Sequence, residues 1–313
     1  MNKIGIVGFS GFIGKEICDF LQNKDYEVFY FGRSPSLVPQ KSKFSYFSHD
    51  KPIDNYNLLK KCDVVIYLAG VSKYNNSLSI PKNLYFKSIN CDLTIDFARA
   101  AISVGVKRFI FISSIKVNGE KTDIGQRFSE KDIPAPEDAY AQSKLDAERG
   151  LLSLAAGTGM EVVIIRPPLV YGPDVKGNFG MLINYARKGI PLPLGAINNR
   201  RSLVSLGNLV DLIATCIDHS EAANQIFLVG DGNDLSTTEL MRGIAKAAMV
   251  PSRLIPVPVY FLELTAFLLR KKMISRRVLD SLQVDITKAR NLLGWSPPFS
   301  VEEGLRSCFK VKK

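Results

Sequence analysis

Histidine is scarce in this sequence: His49 and His219 are the only two in 313 residues. Neither has a ligand-spaced partner, which argues against a zinc centre and moves acid–base chemistry onto other side chains. The five cysteines, Cys18, Cys62, Cys91, Cys216 and Cys308, lie far apart. No disulfide framework is expected from such spacing, and a reducing compartment is the simplest setting. The opening MNKIGIVGFSG lacks the charged and apolar regions of a signal peptide, so a cytoplasmic location is expected. Long apolar runs are also missing. The strongest, 255–269, is interrupted by Pro256, Pro258 and Glu263, too short and broken for stable membrane insertion. The stretch PVPVYFLELTAFLLRKK, 256–272, is therefore expected to pack within the protein rather than on lipid. Acidic residues are outnumbered, 30 to 41, for a formal charge of +11. That balance suits phosphorylated ligands. The basic residues are scattered, with no aromatic–basic repeat, so no nucleic-acid partner is expected.

Hydrophobic content of 46% supports a large core. Short apolar segments at 3–8, 26–31 and 63–68, then VKRFIFISS and EVVIIRPP, alternate with helical sequence. Strands apolar on both faces and separated by helices predict a doubly wound, mostly parallel α/β sheet. Residues 1–171 read as this unit. Residues 172–313 read as a smaller C-terminal lobe, with some segments returning to the main sheet. In that lobe, Ser236 and Glu239 predict a capping box at a helix start.

Between the first strand and first helix stands GFSGFIG, with Gly8, Gly11 and Gly14 at three-residue spacing. A tight turn, close backbone approach to phosphate and strand–helix packing each require a residue without a side chain. The helix N-terminus offers unpaired amides to an anion. The second strand ends in FYFGRS, without the acid that accepts ribose hydroxyls. Arg33 and Ser34 instead offer donors to a 2′-phosphate, so NADP(H) is expected in preference to NAD(H). After the fourth strand come Ser113 and Ser114, on the side of a doubly wound sheet where ligands lie. YAQSKLDAE then places Tyr140 and Lys144 on one helical face. A lysine stem lying across an aromatic ring would account for that pair alone. Beside a dinucleotide turn and a strand-end serine, the same pair reads as proton-transfer machinery.

Together these segments resemble the extended short-chain dehydrogenase/reductase family, in its nucleotide-sugar epimerase/dehydratase branch. The resemblance implies a Rossmann-type fold, with Ser114, Tyr140 and Lys144 as catalytic residues. It places the cofactor against Gly8, Ser10, Gly11, Phe12, Ile13, Gly14, Leu68, Ala69, Gly70 and Pro167, besides Arg33, Ser34, Tyr140 and Lys144. Asn118 stands where the family often has tyrosine. The implied partner is a UDP-sugar, held by Ser114, Asn178, Arg201 and Arg276, with Arg200 and Arg277 as alternatives. RRSLVSLGNLVDLI and SLQVDITKARNLLGWSPP carry a narrower likeness to bacterial enzymes of surface-polysaccharide sugar synthesis. The expected activity is NADP(H)-dependent reduction at C4 of a UDP-linked 4-keto-6-deoxy-N-acetylhexosamine. A UDP-sugar 4-epimerase retaining NAD is the alternative, and a non-catalytic dinucleotide-binding module the remote one. A homodimer stays open.

Overall fold

The computed structural model describes residues 2–24, 26–34, 38, 43–47, 56–123, 125–269, 276 and 278–309. The first half runs β1 (Lys3–Val7), α1 (Phe12–Gln22), β2 (Glu27–Gly32), β3 (Lys43–Tyr46), α2 (Tyr56–Leu59), β4 (Val64–Tyr67), α3 (Lys82–Phe86), α4 (Leu93–Ser103), β5 (Arg108–Ile112), α5 (Ala139–Ala155) and β6 (Glu161–Arg166). The second half runs β7 (Leu169–Tyr171), α6 (Gly177–Arg187), β8 (Leu203–Ser205), α7 (Leu206–Asp218), β9 (Ile226–Leu228), α8 (Thr237–Ala247), α9 (Val259–Leu268), α10 (Thr287–Leu293) and α11 (Val301–Ser307).

Seven parallel strands form one sheet in the order β3-β2-β1-β4-β5-β6-β9. The chain winds one way from β1 to β3 and the other way from β4 onward. The switch point therefore lies between β1 and β4, and a crevice opens at their carboxyl ends. β4 and β5 are buried along their whole length, as a sheet covered on both faces requires. Alternate residues feed opposite cores. Ile4, Ile6, Ile110 and Val163 pack toward α1 and α7. Phe29, Val65, Phe109 and Ile164 pack toward Phe97 of α4 and Leu151 of α5. A third cluster joins Tyr171, Phe179, Ile183, Leu240 and Leu305 beside the short β7–β8 pair. The capping box at Ser236 and Glu239 forms as expected.

A π-helical segment, Lys87–Asp92, joins α3 to α4. One expectation needs correction. The stretch around α9 does not pack inside the lobe. No residue of α9 is fully buried, and its larger side chains lack the cover that the sequence reading gave them.

Behind the carboxyl ends of β5 and β6 lies a buried ion pair. Arg166 and Glu148 meet at 2.6 Å, with side chains only 3% and 2% exposed. The contact is bidentate, since Arg166 Nε also donates to Glu148 at 3.0 Å. Ser113 Oγ donates to the same carboxylate, and Arg166 Nη1 donates to Asn118 Oδ1 at 3.0 Å. Removing one member leaves a buried charge without its counter-ion. Glu148→Gln should lower unfolding free energy by about 3 kcal/mol or more, read from urea denaturation. A loss below about 1 kcal/mol would show that the pair behaves as a hydrated surface contact.

Candidate active site

The glycine turn is closed by backbone packing. A Cβ on Gly14 would lie 2.2 Å from the Gly8 carbonyl oxygen, and one on Gly8 would lie 2.7 Å from Ala69 N. Gly8 also holds φ at +87°, which side-chain-bearing residues rarely adopt. At Gly11 only the Gly8 oxygen lies within reach of an added Cβ, at 3.2 Å. Gly11 caps α1 without a side-chain hydrogen bond, and the first turn of α1 carries no acid. The helix thus presents free amides and an undiminished dipole at an open mouth, a cradle that fits a diphosphate. Ser10, Phe12 and Ile13 stand at its rim, each at least partly exposed.

From the turn, the crevice continues along backbone. Leu68, Ala69 and Gly70 follow β4, and a Cβ on Gly70 would lie 3.4 Å from Lys144 Nζ. Asn90, which the sequence reading missed, fixes this loop. The π-helical turn brings it inward, where Oδ1 accepts from Val71 N at 2.8 Å. Its Nδ2 donates to Val71 O and to Ser143 Oγ, both at 3.0 Å. A polar residue inside an irregular helical run was the available signal, but its partners lie 19 and 53 residues away.

Asp138 caps α5, accepting from Ala141 N at 2.7 Å, and so sets the direction of the helix carrying Tyr140 and Lys144. Ser114 caps the short turn Ile115–Val117, and its hydroxyl lies close enough to the Tyr140 phenol to pull its pKa down. The Tyr140 ring packs edge-on against Phe86 at 5.9 Å. Pro167 is buried, and its carbonyl accepts from Ile115 N at 3.0 Å, pinning the serine loop to the end of β6.

Lys144 is buried, donates to Ile112 O at 2.8 Å and lies over the Phe111 ring at 4.5 Å. Burial pushes its ammonium down to about 8, partly offset by Glu148. Burial raises the Tyr140 phenol above its ordinary value, while the Ser114 hydroxyl and the charge on Lys116 pull it back. Lys116 was not singled out in the sequence. Its Nζ pairs with Glu120 and with Asp138, the latter at 2.8 Å. Burial works against its charge, but these two acids outweigh that and raise its pKa.

A cavity of about 80 Å³ adjoins this group, lined by Lys116, Lys121, Glu137, Arg201, Arg276 and Asp280 among others. Arg201 is half-buried, and its Nη1 donates to Asp280 O at 2.8 Å. Arg200 turns away to Glu239 at 3.1 Å. Arg276 is exposed, 3.8 Å from Glu137. Asn178 is exposed in the first turn of α6 and does not line this cavity. Arg277 lies outside the described residues. Asn118, in place of the tyrosine, bridges Arg166 and the Ser129 carbonyl.

Fold and crevice together define a dinucleotide-dependent enzyme of the doubly wound class. The chain belongs to the NAD dependent epimerase/dehydratase family, whose model matches residues 4–230. It is 44% identical to the UDP-glucose 4-epimerase of Vibrio cholerae over 307 residues, covering 97% of this chain and 94% of that one. UDP-glucuronic acid 4-epimerase from Bacillus cereus, solved with NAD, shares the fold with a TM-score of 0.78 at 21% identity, covering 98% and 97% of the chains. MoeE5, solved with UDP-glucose and NAD, does so with a TM-score of 0.77 at 23% identity, covering 97% and 96%.

These findings overturn the expected preference for NADP(H). The family is NAD dependent, and both solved structures contain NAD. The physical reason lies at the end of β2, where Arg33 is exposed. A missing acid and a nearby guanidinium are compatible with a 2′-phosphate, yet a hydrated arginine at a strand tip does not by itself create a site for one. NAD should therefore bind more tightly than NADP to the purified protein. Arg33→Ala should change NAD affinity by less than about twofold, whereas Gly14→Ala should abolish binding. Calorimetric titration of the three proteins checks this, and a clear NADP preference in the parent would reverse the correction.

Proposed function

We propose that the chain is a 4-epimerase of UDP-linked hexoses that retains NAD through the reaction. The observation that carries this reading is the convergence of Ser114, Tyr140 and Lys144 beside the glycine turn. The 44% identity to a UDP-glucose 4-epimerase, over nearly the whole chain, supports this over the reductase expected from the sequence. The expected reduction was tied to NADP(H), and the correction to NAD removes that support.

NAD, when bound, supplies a hydride acceptor that returns the hydride to the same carbon. Gly8, Gly11 and Gly14 with the first turn of α1 would hold its diphosphate, and Lys144 its nicotinamide-side ribose. Tyr140 takes the proton of the sugar 4-hydroxyl and later gives it back, while Ser114 holds the oxygen between those steps. A phenol raised by burial needs nearby positive charge to serve as a base. The charge on Lys116 supplies part of that help. Arg201 holds the UDP end, leaving the hexose free to turn and present its other face. The 1–171 and 172–313 division assigns the cofactor to the first unit and the UDP end to the second.

Incubation with UDP-glucose or UDP-galactose, without added cofactor, should convert each into the other, as followed by NMR. Tyr140→Phe should fold normally and turn over about a hundredfold or more slower. Failure of both UDP-hexoses, with stoichiometric consumption of reduced cofactor on a UDP-4-ketosugar, would instead establish the reductase.

A separate titration addresses the UDP end. Arg201→Ala should weaken UDP binding on the order of tenfold, the cost of a charge-assisted contact near 2 kcal/mol, and leave NAD binding unchanged. Unchanged UDP affinity would remove Arg201 from the site.

A further inference from the structure

Helix α9 displays an apolar face that the fold leaves uncovered. At 100° per residue, Tyr260, Phe261, Leu264, Phe267 and Leu268 span an arc of about 120°. Phe267 is 74% exposed, Leu268 69% and Tyr260 66%. The opposite side, Val259, Leu262 and Ala266, is half-buried at i, i+3 and i+7 spacing and turns toward the protein. The larger and more aromatic face of α9 thus points to solvent. Exposed apolar patches of this kind mark interaction surfaces.

Charge selects the occupant. Between residues 251 and 272 the sequence carries four cationic residues, Arg253, Arg270, Lys271 and Lys272, and one acid, Glu263. Three of the cations follow α9 directly in sequence. A second copy of the chain would add its own four cations to these. An anionic bilayer instead neutralises them while accepting aromatic and leucine side chains at headgroup depth. The formal charge of +11 acts in the same direction. No helix among the described residues is long and apolar enough to cross a membrane, so the contact is lateral.

We propose that the exposed face of α9 is a peripheral docking face for anionic phospholipid. This inference does not rest on the epimerase reading. The full chain is sedimented with phosphatidylcholine vesicles, with and without phosphatidylglycerol, and compared with the double variant Phe267→Glu, Leu268→Glu. Both positions are exposed, so the variant should keep the parent's melting temperature. The parent should pellet with the anionic vesicles, less so in high salt. The variant should bind at least about tenfold more weakly. A parent that stays in the supernatant at low salt overturns the proposal, as does a variant that pellets equally well. Light scattering without vesicles supplies the remaining test. A parent dimer that the same variant dissociates would assign the face to a second copy instead.

Discussion

The buried contact between Arg166 and Glu148 governs the geometry of this site. One partner ends β6 and the other lies a turn beyond Lys144 on α5. Two charges so deeply withdrawn from water are tolerated only with their hydrogen bonds satisfied. The structure satisfies them with Ser113 at the end of β5 and Asn118 after the serine turn. The same four side chains therefore tie two strand ends, one helix and one loop into a fixed arrangement. Ser114 and Tyr140 are both partly exposed. Ser113 is occupied by the carboxylate, which distinguishes it physically from the adjacent Ser114.

Much of the fold was legible because its signals are local. Apolar strands, the glycine turn and the i, i+4 spacing of Tyr140 and Lys144 each lie within a short stretch. The groups that hold the site were not legible, because their partners are remote in sequence. Asn90 reaches the loop after β4 and α5 together. Arg166 looks like the end of an apolar strand until α5 is laid beside it. Arg201 was named ahead of Arg200 by resemblance, and the bridges it makes to Leu235 and Leu282 accompany its place at the cavity.

The two misreadings have different origins. At Arg33, residue chemistry was judged without exposure, and a guanidinium able to bind phosphate was read as a site for one. At α9, the apolar pattern was real, but periodicity reports only that a face is apolar. It cannot say whether protein, lipid or another chain covers that face.

Positive charge is divided between two lysines with different surroundings. Lys144 is enclosed, committed to the Ile112 carbonyl, and brought down to about 8 by burial. Lys116 is partly exposed, and two acids keep it charged. A buried amine already committed to a backbone carbonyl is suited to fixed hydrogen bonding, while a stabilised ammonium at the cleft wall acts over distance on Tyr140. Asp138 links the two functions, since it both caps the helix carrying Tyr140 and pairs with Lys116. Under the proposed epimerase reading, Tyr140 must take up and return a proton with similar ease. A phenol raised by burial and lowered by Ser114 and Lys116 is pulled from both sides, as a reversible proton transfer requires.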